Sequence, residues 1–366
     1  MLKIKYPNSK EFEADYITIL NISKDEQKKF KTFLNDEIFK DCKIKSLDQL
    51  LTAPFEKLLE IYNLYMKRYP FREGKNKRDN ETKKAIEIKY ENFFKYQITY
   101  QPKIAKFFMK HSEALQLKTC YFCNIEYINT FENRGEYHSA IDFVNDATME
   151  ELIQINLITK NSAREIIQKR EQSNIKSISD LGFTPKKKEN IENLNFKTSQ
   201  ENHFTLDHFL PKANCPILAL SLYNFVPSCY SCNSKFKQSD VLLKTHLSPT
   251  SKNFSVADEI KFKLFFTEDR KDFNLIMKYP KDKGYEDYIR TFKLKGRYTF
   301  HKGEVEKLLD NKRKYPQSRI DEMAKAVNIP SKQIKKDIFG KELFEDSSKE
   351  SMSKLKKDIA KDIGII

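Results

Sequence analysis

Phe204-Thr-Leu-Asp207-His208-Phe-Leu-Pro211-Lys212, followed by Tyr223-Asn224-Phe-Val-Pro227-Ser-Cys229-Tyr-Ser-Cys232-Asn233-Ser-Lys235, is the stretch on which the fold of this chain turns. Its first run reads as a strand ending in an adjacent carboxylate and imidazole, and its second ends in a C-x-x-C pair. A matching pair, Cys120-Tyr-Phe-Cys123, lies far upstream. Together the four thiolates complete the closed tetrahedral shell that a structural Zn²⁺ prefers. Zinc with no open position cannot polarise a substrate, but it can clamp two segments that are distant in sequence. Paired spacing of this kind favours metal over disulfides in a reducing compartment. Cys42 and Cys215 have no such companion and read as buried thiols.

Hydrolysis of a phosphodiester needs a base to deprotonate water and a hard cation to neutralise charge building on the phosphate. An Asp and an Asn present oxygens that suit Mg²⁺, and an unperturbed His titrates near neutral pH and can accept the water's proton. Each residue alone has a plainer reading: Asp207 as a capping acid beside an ordinary histidine, Asn224 as a turn residue, Asn233 as a helix cap. Their order, C-x-x-C, D-H, N, then C-x-x-C-N-x-K, resembles the HNH endonucleases of the ββα-metal (His-Me finger) fold with a four-cysteine zinc knuckle. The resemblance covers residues 118–131 and 204–237. It extends more weakly to Tyr100-Gln-Pro-Lys-Ile-Ala-Lys-Phe-Phe, as in a group of bacterial HNH proteins found among anti-phage and mobile-element genes. It implies Asp207 and Asn233 as ligands of a catalytic Mg²⁺ or Mn²⁺, His208 as general base, and Asn224 as the residue fixing the loop behind that base. Lys212 and Lys235 are then expected near phosphates. DNA, in double-stranded form, is the implied substrate, and an SMC-like ATPase or other defence-system subunit is the implied partner class.

The middle of the long stretch between the cysteine pairs carries its own pattern. Thr148 with Glu151, and Ser162 with Glu165, have capping-box spacing, and a further helix is expected from Thr184-Pro185 with Ile191 and Leu194 on its inner face. Asn145, Ala147, Thr148, Leu152, Ala163, Ile166, Ile167, Arg170, Asp180 and Leu181 resemble the tandem helix-hairpin-helix domains of DNA-uptake and repair proteins. In that family hairpin glycines let backbone N–H groups approach a phosphate. Here the first hairpin, Asn156 to Lys160, has none and the second keeps only Gly182. Duplex binding by the insert, carried mainly by Lys186, Lys187 and Lys188, is therefore the expectation, with a packing or protein-contact module as the alternative.

The remaining chain fits around these motifs. From Ile22 to about Lys110 it reads as helices: Ser23 and Glu26 form a capping box, Ser46 starts a second helix, and Pro54 sits in the first turn of a third whose apolar stripe is Phe55, Leu58, Leu59, Tyr62 and Tyr65. Arg72 to Lys84 is a polar break, and Phe93, Phe94, Ile104, Phe107 and Phe108 line the next helical piece. After the second cysteine pair, Ile260 to Phe266 reads as a strand and Ser353 to Ile363 as a basic helix. The expected class is α+β and mostly helical. Its parts are a helical region 1–117, a ββα-metal core from 118–135 and 200–240, an inserted hairpin domain 136–199, and a basic C-terminal region 241–366.

Across 366 residues Lys+Arg number 67 against 52 Asp+Glu, a net +15 spread along the chain. That balance suits a polyanionic partner better than a small acid. With 39% hydrophobic residues, including 28 Phe and 18 Tyr, wholesale disorder is excluded. No run of about eighteen apolar residues occurs and the start MLKIKYPNSKEFEADY lacks a signal-peptide core, so a cytoplasmic chain away from the membrane is expected. Two further readings bear on the site. His203, four residues before Asp207, is expected as a half-buried strand histidine, and the run Arg290 to Tyr298 with the Lys354 tail as a face that tracks DNA backbone, docks a partner or is simply solvated. A different class, a non-catalytic zinc-dependent nucleic-acid-binding or scaffold protein, fits the same basic balance.

Overall fold

The computed structural model describes residues 1–7, 9–33, 37–69, 96–133, 137–194, 199–238, 240–269, 272–345 and 350–366. The polar break Arg72 to Lys84, and Phe93 and Phe94, lie outside them. The chain divides into two compact units, Met1–Thr130 with Asn202–Ile366, and Phe131–Glu201. Helix dominates, and every sheet among the described residues is a pair of strands. Among the described residues no helix is long and apolar enough to cross a membrane.

In the larger unit, α1 (Lys10–Leu20) starts where the Ser9 hydroxyl accepts from Phe12 N–H and ends at Asn21 in the left-handed region; it buries Phe12, Tyr16 and Leu20, four residues apart. The Ser23–Glu26 capping box opens α2 (Lys24–Phe33). After α3 (Glu37–Asp41), Ser46 caps α4 (Leu47–Leu51). The stripe Phe55, Leu58, Leu59, Tyr62 and Tyr65 is buried as read, on α5 (Phe55–Arg68); Pro54 stands one position earlier than expected, as the N-cap. Ile104, Phe107 and Phe108 are the buried face of α6 (Gln101–Lys110).

These helices back the loop that follows His208. Tyr16 Oη donates to Leu220 O at 2.7 Å, Ser221 Oγ to Leu50 O at 3.0 Å, and Asn214 Nδ2 to the Tyr62 hydroxyl at 3.2 Å. The Phe55 and Phe209 rings meet edge to face at 5.3 Å. Cys42 and Cys215 are buried thiols, as read.

The smaller unit has its own core, centred on Val144, Leu152, Ala163, Ile166, Ile178 and Ile191. After β1 (Thr130–Asn133), Ser139 caps α7 (Ala140–Asp146), and Thr148 and Glu151 form the expected capping box at α8 (Met149–Leu152). The next helix, α9 (Lys160–Gln172), corrects the reading of Ser162 as its cap. Thr159 is the cap, accepting from Ser162 N–H, and Ser162 lies buried inside the first turn. Ser177 and Asp180 form a second capping box before Gly182, and α10 (Pro185–Glu192) begins at Thr184-Pro185 as read. β2 (Ser199–Asn202) pairs with β1. Asn145 and Arg170 hold the unit together: the Asn145 amide bridges Ile141 and Ile175, and Arg170 donates to Val144 O and Ala147 O at 3.2 and 2.8 Å.

Returning to the larger unit, β3 (Thr205–His208) and β4 (Phe225–Ser228) pair antiparallel, with Asp207 opposite Val226 and His208 opposite Phe225. A π-helical turn, Ser231–Lys237, follows β4 after Cys229 and Tyr230. His203 sits between β2 and β3 and is exposed, which corrects its reading as a half-buried strand residue. After α11 (Val256–Glu259), β5 (Lys261–Phe266) pairs antiparallel with β6 (Phe273–Lys278). The chain closes with α12 (Tyr285–Thr291), α13 (Leu294–Phe300), α14 (Lys302–Lys314), α15 (Gln317–Val327), α16 (Ser331–Phe339) and α17 (Ser353–Asp362). Lys354 is no free tail lysine. It is buried in an ion pair with Asp358, whose carboxylate also accepts from Phe262 N–H at 3.0 Å.

Candidate functional site

The sulfurs of Cys120, Cys123, Cys229 and Cys232 all lie within 4.8 Å of one another and all four residues are buried. A tetrahedral zinc with bonds of about 2.3 Å sets its sulfurs about 3.8 Å apart. The Cys123–Cys229 separation of 4.0 Å is close to that edge and far from a disulfide. Backbone N–H groups of Ile125 and Cys232 point at Cys123 and Cys229 sulfurs, each at 3.4 Å. Burial raises a thiol, but at Cys123 the three neighbouring sulfurs and Arg297 outweigh it and hold that thiol well below its ordinary range. The donor set, its spacing and its burial fit a metal such as zinc.

Asp207 and His208 end β3, Lys212 lies in the loop after it, Asn224 closes a short 3-10 turn just before β4, and Asn233 and Lys235 sit on the π-helical turn. His208, half-buried at the end of β3, sets Nε2 2.9 Å from Ala219 O. A carbonyl only accepts, so Nε2 carries the hydrogen and Nδ1 keeps the lone pair. Burial, opposed by the Ala219 bond, pushes the imidazole down to about 3, so the ring is neutral throughout the physiological range. Two rings pack against it, Phe225 tilted at 4.7 Å and Tyr96 edge-on at 4.8 Å between centroids. Lys212 Nζ sits 4.7 Å from the centre of that same Tyr96 ring.

Asn224 is fully buried, and its amide spans the loop behind His208. Oδ1 accepts from Leu210 N–H at 2.8 Å, and Nδ2 donates to Leu210 O and Leu218 O at 3.0 and 3.2 Å. Its backbone O also takes the Phe209 N–H at 2.9 Å.

Asp207 is buried too, and its partner is a residue that sequence reasoning passed over. Lys237 Nζ lies 3.2 Å from Oδ1 and 3.1 Å from Oδ2, and donates to His208 O at 3.0 Å. Only the Oδ1 contact is aligned as a hydrogen bond; Oδ2 is sealed from solvent without one, so its contact is ionic. Burial raises the carboxyl and Lys237 opposes the rise. A buried carboxylate oxygen with unused acceptor capacity fits a hard cation, although an ammonium group already stands beside it. Asn233 is half-buried, and its backbone bonds stay within its own turn, N–H to Cys229 O at 3.1 Å and O from Gln238 N–H at 3.0 Å.

Sequence singled out Lys235, which is exposed, its Nζ 5.8 Å from the Phe236 ring. Repeating every fifth residue, the π-helical turn instead aligns Lys237 with Cys232 on the buried side. Tyr96 and Arg297 were likewise missed, and Arg297, expected on a basic outer face, points at the cysteines. Within the insert, Lys187 Nζ donates to Ser162 Oγ and Lys188 Nζ to Ser179 O, while Lys186 is exposed. In comparisons with family models, curated proteins and solved structures, nothing matches this chain.

Proposed function

We propose that this chain is a metal-dependent DNA endonuclease of the HNH kind, with a structural zinc at the four cysteines. The observation that carries the reading is the His208 arrangement. An antiparallel strand pair followed by a helical turn, framed by four gathered sulfurs, holds a neutral imidazole whose Nε2 is spent on Ala219 O. Nδ1 is thereby left to take a proton from water attacking phosphorus. Asn224 keeps the loop that supplies Ala219 from moving, which fixes the ring's tautomer and direction. Asp207 and Asn233 would hold the Mg²⁺ or Mn²⁺, which supplies neutralisation of charge on the phosphate and the leaving oxygen. Lys212 beside the His208 pocket, and the exposed Lys235 and Lys186, offer phosphate contacts on duplex DNA. Supercoiled plasmid incubated with Mg²⁺ or Mn²⁺ is the test. Wild type is expected to nick or linearise it and His208→Ala is not; equal inactivity of both on every DNA and RNA form, with partner supplied, removes the reading.

One observation favours a second reading, a zinc-dependent nucleic-acid-binding or scaffold protein without catalysis: the Asp207 carboxylate is closed by Lys237. It predicts DNA left intact and a biological role unchanged in Asp207→Ala. The resemblance to defence-associated HNH proteins extends the first reading to an anti-phage effector working with an SMC-like ATPase or similar subunit. Protection of the native host that persists in His208→Ala would discard that extension.

A further inference from the structure

Four thiolates outweigh the two charges of Zn²⁺, so a filled four-cysteine centre carries a net double negative charge in a site closed to water. Burying such charge is costly unless a cation or hydrogen-bond donors face it. Arg297, from the middle of α13, faces it. Nη1 lies 3.2 Å from Cys232 Sγ and Nη2 3.4 Å from Cys123 Sγ, so one planar fork reaches a sulfur from each cysteine pair. Three other contacts hold the fork in place. Nη2 donates to Glu126 Oε1 at 2.8 Å, Nη1 to Phe292 O at 3.3 Å, and the guanidinium lies 5.1 Å from the Phe236 ring centre. Both the partner that aims it and the ring it lies against belong to the knuckle segments themselves.

We propose that Arg297 is the fixed counter-cation of the four-cysteine centre, bridging the two knuckles from outside the metal's own shell and slowing loss of the metal. The inference rests on the cysteines holding a metal and is independent of any nuclease activity. Only a fork serves this purpose: a lysine ammonium is a single point that cannot donate along both directions at once. Hydrogen bonds onto a ligand sulfur also lower its donor strength, so their removal changes the electronic spectrum of a bound transition metal.

The test uses the full chain loaded with zinc. After addition of excess chelator, zinc release is followed with a chromogenic indicator for wild type, Arg297→Met, Arg297→Lys and Arg290→Met. Arg290 is an exposed residue of the same basic run, paired with Asp287. Release from Arg297→Met is expected about 10- to 100-fold faster than from wild type. Arg297→Lys should fall between, and Arg290→Met should match wild type. In the Co²⁺-substituted proteins the sulfur-to-metal charge-transfer band should move to lower energy in Arg297→Met, less far in Arg297→Lys, and not in Arg290→Met. If Arg297→Met lacks a cooperative melt, Arg297→Gln, which keeps one donor, is read in its place with the same expected direction. Equal release rates and an unmoved band in a folded variant overturn the inference while leaving the metal site standing. Wild type that binds no stoichiometric zinc overturns the metal site itself.

Discussion

A single amide decides how firmly the histidine is held. Asn224 makes three side-chain hydrogen bonds in a fully buried position, all to the loop behind His208. Truncation leaves the Leu210 N–H and the Leu210 carbonyl without partners in a buried loop, while Leu218 O keeps the Ser221 N–H at 3.2 Å. Asn224→Ala is therefore expected to lose about 3 kcal/mol of unfolding free energy in a urea titration. His208 supplies a pH dependence. Its folded value of about 3 lies below the unfolded value near 6.5, so between them the unfolded chain binds the extra proton. The stability it contributes is complete above about 6.5 and drains away as pH falls toward 3. Denaturant titrations at neutral and acid pH should show a smaller acid loss in His208→Gln than in wild type.

Elements of the insert repeat one another, and the repeat explains a strained residue. Thr148 and Ser177 each open a capping box, Thr159 and Thr184 each stand at the N-cap position of the following helix, the first with a side-chain bond and the second without, and two positions before each the backbone turns left-handed. Gly182 fills that position in the second hairpin with φ +68°, but the first has Leu157 at φ +71°. Leu157 is 45% exposed, so it gains little burial in return for a conformation that costs a side-chain-bearing residue about 1–2 kcal/mol. Leu157→Gly should raise the stability of the insert by about 1 kcal/mol, read by thermal melting. At Gly182 a new Cβ meets nothing within 4 Å, so Gly182→Ala should lower stability by about 1 kcal/mol through conformation alone. DNA contact, if the insert makes it, falls on Lys186. In a salt titration of duplex binding, Lys186→Ala should flatten the slope by about one ion, whereas Lys188→Ala, whose group bonds Ser179 O, should change it less.

For the larger unit, the first knuckle is a hub. Its successive carbonyls accept bonds from far along the chain: Tyr121 O from Leu2 N–H, Phe122 O from the Met1 amino group and the Tyr288 hydroxyl, Cys123 O from the Tyr298 hydroxyl, and Asn124 O from Met352 N–H. Asn124 Oδ1 accepts from Lys354 N–H at 2.9 Å as well. If the metal fixes this knuckle, its removal loosens every segment docked there. Hydrogen exchange after chelation should show lost protection at residues 1–4, 288–298 and 352–354 together. The insert, with a separate core, should keep its protected helices.

Sequence alone determined what depends on local spacing. Helical periodicity announced the α5 stripe, capping residues announced the starts of α2, α4, α8 and α10, and paired C-x-x-C spacing announced the four-sulfur cluster, because each follows from geometry within a few residues. It also isolated Asp207, His208, Asn224 and Asn233 as one short constellation. Only the tertiary structure decided what those residues touch. Lys237 rather than Lys235 reaches Asp207 because the turn after Cys232 winds as a π-helix, a choice between hydrogen-bond registers that no residue type dictates. Arg297 turns inward because a buried cluster of sulfurs more than sixty positions from it in the chain attracts a cation, and Ala219 meets His208 because helices from the N-terminal hundred residues hold that loop. Contacts between distant segments depend on how all the intervening elements pack, and that information is not carried by any one stretch of sequence.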